Sequence, residues 1–248
     1  MIWMFSFARS GSSLLHDVLC EAFGYAKVYE PFGFRPERCL DSETFEFVQD
    51  YFRGAPDFPE LPRYQIEDYY IGHVPQRSFG SRELKPYRER LKTYFMEIYE
   101  KYGNAVVVKC IRQLGNIQLV DLVLTEIDAA PRYLLLTRNP FEIAYSYYRM
   151  GGLFNGSSWR VPQLFEYRKR MYLGEDAFLD TLFGRARGNL DKLICAVLAD
   201  YWAFDQAERE VKCLRLGYEM FMRRPAAELD RIRSFVGVEP GSMLTHAI

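Results

Sequence analysis

Short, largely apolar runs alternate with longer segments of helical periodicity from one end of the chain to the other. IWMFSFA (residues 2–8), AVVVKCI (105–111) and RYLLLT (132–137) show little in–out alternation. A strand that is apolar on both faces belongs inside a parallel sheet, covered by helices above and below. YAKVYEPFG (25–33), broken by Pro31 and Gly33, and VKCLRLGYE (211–219) read as two further strands. Between them, residues 12–23, 82–103, 116–127, 139–150, 191–210 and 225–238 repeat apolar positions at helical spacing. Gly24, Gly103 and Gly237 supply stops, and Pro86, Pro140 and Pro225 fall near helix starts, with Asn139 as an N-cap. The expectation is a single α/β domain over residues 1–248, with a parallel central sheet flanked by helices.

Two stretches stand outside this rhythm. Residues 34–82 are rich in proline, glycine and aromatic residues and read as a loop-rich insertion folded against the core, with a helix within 42–53. Residues 151–191 are variable-looking and basic in places. The chain of 248 residues is long enough for one sizeable core. Its formal net charge of -1 gives no global pull towards nucleic acid or a membrane surface, so any anion site must be local. The 16% aromatic content fits an aromatic-rich core and also a tyrosine-lined pocket. Five widely spaced cysteines contain no CxxC pair, so no zinc or redox motif is indicated, and they read as free thiols in a reducing compartment. The opening MIWMFSF reads as a strand rather than a secretory signal, and no run has the length of a membrane span. A cytoplasmic protein is expected.

The first strand runs into Arg9, Ser10, Gly11, Ser12 and Ser13 and then into a helix. Strand, small polar loop and helix together hold an anion: first-turn N–H groups point out of the helix end, and glycine lets the backbone approach closely. Arg9 supplies charge, and Ser12 and Ser13 supply hydroxyls. The GxxxxGK[ST] signature is absent, because no lysine follows Gly11. Taken alone, the string also fits a serine-capped helix after an ordinary turn. A second element is TRNPFEIAYSYYR, where Arg138 ends a strand and Ser146 lies about two turns into the next helix. Ligands of open parallel sheets sit beyond the carboxyl ends of the strands. Arg138 and the RSGSS loop are therefore expected to be neighbours, holding two anionic groups of one ligand.

With these residues the chain resembles the sulfotransferases that use 3'-phosphoadenosine 5'-phosphosulfate (PAPS). Their first strand leads to a loop of the form [RK]-S-G-[ST]-[ST], matched by Arg9 to Ser13. A later strand-end arginine and helical serine are matched by Arg138 and Ser146. LRLGYEMFMRRPAAELDRIRSFVGV resembles the family's strand, Tyr-Glu and helix ending, with Gly217 a departure from the commoner wording. The arginine in the loop and YEPFG are most similar to the carbohydrate and protein-tyrosine branches.

The resemblance implies a P-loop-like fold and transfer of a sulfuryl group from PAPS to a hydroxyl, leaving 3'-phosphoadenosine 5'-phosphate (PAP), without a metal. Arg9, Ser10, Gly11, Ser12, Ser13 and Leu14 would hold the 5'-phosphosulfate, and Arg138 and Ser146 the 3'-phosphate. The acceptor expected is a saccharide, glycolipid or small hydroxylated metabolite, with residues 34–102 and 151–191 forming the acceptor side and cover. A bacterial cytoplasmic enzyme fits this reading better than a Golgi one.

A base must take the acceptor's proton. Glu30, after the second strand, is the first candidate by resemblance; the residues alone also allow a surface glutamate beside Pro31. His16, one turn into the first helix, is a second candidate and equally a packing residue, and His73 is a third. His246 has no argument behind it. Lys109 and Arg112 border a strand end and add positive potential. Arg185 and Arg187 in FGRARGN read as a nucleotide cover or a solvated loop. Trp159 offers a stacking face or simple packing, and Glu219 a carboxylate for nearby loop donors. An atypical P-loop-like kinase and a non-catalytic nucleotide-binding module remain alternatives, separable by binding of PAP against ATP and by turnover.

Overall fold

The computed structural model describes residues 1–29, 85–111, 114–127, 129–149 and 160–238. Glu30, Arg112, Trp159, the histidines at 73 and 246 and the insertion at 34–82 lie outside the described residues.

Five strands form the sheet: β1 (Ile2–Ser6), β2 (Ala26–Tyr29), β3 (Val106–Cys110), β4 (Arg132–Thr137) and β5 (Cys213–Gly217). Their order is β2-β3-β1-β4-β5, and every pairing is parallel. The described helices are α1 (Ser12–Phe23), α2 (Lys85–Tyr102), α3 (Ile117–Thr125), α4 (Pro140–Arg149), α5 (Arg160–Tyr172), α6 (Ala177–Arg185), α7 (Asn189–Glu210), α8 (Tyr218–Arg223) and α9 (Pro225–Val236). The expected single α/β domain with a parallel central sheet is the fold observed.

Side chains along the strands divide between two covered faces, as a period of two requires. Trp3, Phe5, Val106, Val108, Tyr133 and Leu135 are buried on the face covered by α2, α3 and α7. Ile2, Met4, Val107, Leu134 and Leu136 are buried on the other, against Leu15 and Leu19 of α1 and Ile232 of α9. Because both faces are covered, β1, β3 and β4 are predominantly apolar in sequence, with Ser6 and Lys109 the buried polar exceptions in β1 and β3.

The helices end where the sequence indicates. Gly24 and Gly237 adopt left-handed conformations (φ 63° and 78°) and cap α1 and α9. Asn139 Oδ1 accepts from the Phe141 N–H at 2.9 Å, opening α4. Residues 151–191, given no element from the sequence, contain α5 and α6. One expectation changes. Tyr218 and Glu219, read as strand, begin the short helix α8. Four cysteines are free thiols, and Cys39 lies outside the described residues. Among the described residues no helix is long and apolar enough to cross a membrane.

A buried ion pair explains how so polar a segment as α5 packs on α7. Arg168 and Asp200 are 1% and 0% exposed, with Nε–Oδ1 at 2.7 Å and Nη2–Oδ2 at 2.9 Å. The Tyr172 hydroxyl donates to the same carboxylate at 3.2 Å. Breaking such a pair strands a charge in a low-dielectric interior. Asp200→Ala is expected to lower unfolding free energy in a urea titration by about 3–5 kcal/mol. Replacing Arg168 and Asp200 together by apolar residues of similar volume should cost less than the single change.

Candidate anion-binding site at the sheet switch point

The chain leaves β1 towards β2 and leaves β4 towards β5 on the opposite side. Right-handed crossovers therefore place α1 and α4 on opposite faces of the sheet. Leu15 of α1 lies in one core layer, and Ile143 and Ala144 of α4 lie in the other. Between neighbouring strands whose helices diverge in this way, a crevice opens at the carboxyl edge.

Both anion elements of the sequence meet there. Arg9 Nε donates to Ser146 Oγ at 3.1 Å, across 137 residues of sequence. Arg138 Nη1 donates to the Arg9 carbonyl at 3.0 Å. Arg138 Nη2 also lies 3.5 Å from Glu142, which is largely exposed. Arg9 has a φ of 69°, uncommon for a residue with a side chain. The hydrogen bond from Arg138 holds the carbonyl of this left-handed residue.

Gly11, next in the loop, has a φ of 86°. A Cβ at this position would stand 2.1 Å from the Tyr218 ring, so no larger residue fits without displacing that tyrosine. The same ring lies 4.8 Å from the Arg138 guanidinium, within cation–π range. Tyr218 thus touches the loop and the strand-end arginine together. Its neighbour Glu219 accepts from the Asn139 N–H at 2.9 Å, which bears out the reading of Glu219 as an acceptor for loop donors.

The loop residues differ in what they expose. Ser10 and Ser12 are buried, whereas Arg9, Ser13 and Leu14 are exposed. Ser10 Oγ is buried with no hydrogen-bond partner among the described residues. The first-turn amides of α1 have no intrahelical acceptors, as at any helix start. From β3, the buried Lys109 reaches the first turn of α1, donating from Nζ to Ser13 Oγ at 3.1 Å. Lys109 brings to the loop the ammonium that the loop sequence lacks. It was legible only as a charge at a strand end.

His16 is fully buried, with Nε2 2.8 Å from the Val107 carbonyl. Burial lowers its pKa most strongly, and the hydrogen bond to Val107 opposes that shift. This placement ties α1 to β3. Arg185 and Arg187 are exposed at the end of α6 and in the turn before α7, and no hydrogen bond or ion pair joins them to the loop among the described residues.

Sequence reading missed Tyr201 of α7. Its hydroxyl accepts from the Arg138 N–H at 2.7 Å and donates to the Arg138 carbonyl at 2.5 Å. A tyrosine within an amphipathic helix carries no signal of such a contact.

The chain was compared with known proteins. The model of the sulfotransferase family matches residues 2–240. Among curated proteins, no sequence matches. Among solved structures, a sulfotransferase domain from the curacin biosynthetic pathway is 16% identical, with a TM-score of 0.53, over 98% of this chain and 75% of that one. A sulfotransferase domain from the Synechococcus PCC 7002 olefin synthase is 17% identical, with a TM-score of 0.48, over 97% and 74%. A sulfotransferase from Alicyclobacillus acidocaldarius is 18% identical, with a TM-score of 0.46, over 96% and 81%. The curacin-pathway domain supports the fold. The matched range takes in Arg9–Ser13, Arg138, Ser146 and the stretch from β5 to α9, and this chain belongs to the sulfotransferase family.

Proposed function

We propose that the protein moves the sulfuryl group of PAPS to a hydroxyl of a saccharide, glycolipid or small metabolite by in-line transfer. The observation that carries this reading is the meeting of Arg9 with Ser146 and Arg138 at one crevice. Two phosphate-type groups on one nucleotide need two cationic cradles a short distance apart. The residues suit such a ligand: an open helix N-terminus and a serine hydroxyl that is buried with no hydrogen-bond partner among the described residues.

PAPS would supply a sulfuryl group already activated by a phosphate leaving group. Loop amides, Ser10, Ser12 and Ser13 would hold its 5' end, with Lys109 adding charge from β3. Arg138 and Ser146 would leave their present partners to take the 3'-phosphate. Arg9 would meet the negative charge that grows on the bridging oxygen, where a donor contributes most to the rate. Glu30 directly follows β2, whose last residue, Tyr29, is in register with Lys109. It is the proposed base that takes the acceptor's proton, and His16 is left a packing role. Residues 34–102 would form the acceptor side.

Transfer of labelled sulfate from PAPS to a panel of hydroxyl acceptors tests the reaction directly. Turnover with magnesium-ATP and none with PAPS would instead assign a kinase. Arg138→Ala is expected to weaken PAP binding by roughly 1.5–3 kcal/mol, through loss of a charge-assisted contact. Ser146→Ala should cost less in the same calorimetric titration. Unchanged affinity in Arg138→Ala would move the nucleotide elsewhere. Glu30→Gln should bind PAP normally and lose roughly 10²-fold in kcat, the scale of a missing general base. Turnover within a fewfold of the parent would remove Glu30 from that role.

A further inference from the structure

The turn after β4 is fastened from elements distant in sequence. Thr137 Oγ1 donates to the Leu216 carbonyl at 3.2 Å, and the Asn139 N–H donates to Glu219 at 2.9 Å. Between them, both backbone polar groups of Arg138 are engaged by one phenol. A tyrosine hydroxyl has one proton to give and lone pairs to accept. Here it does both on a single residue, 63 positions away in sequence. A backbone N–H and C=O held in this way restrict rotation on both sides of the Arg138 α-carbon.

Tyr201 is itself held in place. Its ring stacks on Phe204, with centroids 6.0 Å apart. The preceding residue, Asp200, is locked by Arg168 and Tyr172. Burial also raises the pKa of the Tyr201 phenol, which keeps its proton available to the Arg138 carbonyl.

We propose that Tyr201 is a positioning residue for the strand-end arginine, fixing the Arg138 backbone so that its guanidinium meets the 3'-phosphate of the donor. This rests on the donor-site reading above. Tyr201 touches no ligand in this role. It acts by removing freedom that Arg138 would otherwise lose on binding, and preorganisation of this kind raises affinity without a new contact. The effect falls chiefly on the 3' end of the nucleotide: Tyr201 makes no hydrogen bond to the loop among the described residues, and the Arg138–Arg9 hydrogen bond through which it could act there is given up when Arg138 takes the 3'-phosphate.

The test is Tyr201→Phe, which keeps the ring on Phe204 and removes only the hydroxyl. PAP and adenosine 5'-phosphate, which lacks the 3' group, are titrated into the parent and the variant by calorimetry, with thermal unfolding alongside. The parent should prefer PAP. In the variant the Kd for PAP should rise about tenfold while that for adenosine 5'-phosphate stays within about twofold. In an Arg138→Ala background the Tyr201 change should have no further effect on PAP binding, because the two residues act as one unit. Equal losses for both nucleotides, an undiminished preference for PAP, or the absence of a cooperative unfolding transition would each overturn the proposal. A parent protein with no preference for PAP would instead overturn the donor-site reading, and this inference with it.

Discussion

The parallel register of β1 against β4 is the constraint on which the site depends. Ile2 lies opposite Arg132 and Ser6 opposite Leu136, so the two strands finish at the same edge. Arg9 follows the end of one strand and Arg138 the end of the other. A slip by one residue would turn every buried side chain of β1 to the wrong face. Trp3 and Phe5 on one side and Ile2 and Met4 on the other make that slip costly. Hydrophobic register in the core thereby sets the distance between two charged groups outside it.

Positive charge reaches the crevice from three directions. Arg9 belongs to the loop, Arg138 to the neighbouring strand end, and Lys109 arrives from beneath through β3. A P-loop concentrates its lysine at the start of the helix. This protein distributes charge over separate elements instead, and the open amides of α1 complete the cradle. Tyr218 is the piece that holds the arrangement together. It fills the space left by Gly11 and stacks with Arg138, so the C-terminal part of the chain shapes a loop near the N-terminus.

Behind the crevice, α7 links stability to geometry. One turn of this helix carries Asp200, paired with Arg168 inside the α5–α7 contact, and Tyr201, bonded to the Arg138 backbone. A buried ion pair with two close nitrogen–oxygen contacts is a demanding fit, because leaving either partner alone is costly. That fit defines how α5 and α7 pack, and it holds the helix from which Tyr201 reaches the Arg138 backbone.

Much of this was legible without coordinates. RYLLLT forms β4 residue for residue, and AVVVKCI contains β3, because a parallel strand covered on both faces reads as a near-continuous apolar run. RSGSS, Arg138 and Ser146 were legible as two anion elements by chemistry and spacing, and their meeting followed from the rule for open sheets. RVPQLFEYRKRMY was assigned no element from the sequence, and its polarity makes sense only once Arg168 finds Asp200, 32 residues away. Tyr201, the Lys109 contact with Ser13 and the seat of Tyr218 against Gly11 were equally hidden. Local sequence determined the strands, the helix ends and the anion-binding residue types, because periodicity and backbone preference act over a few neighbours. Only the tertiary structure decided which polar side chains hold the site, because those contacts exist once separate layers have packed and burial leaves each polar group few partners within reach.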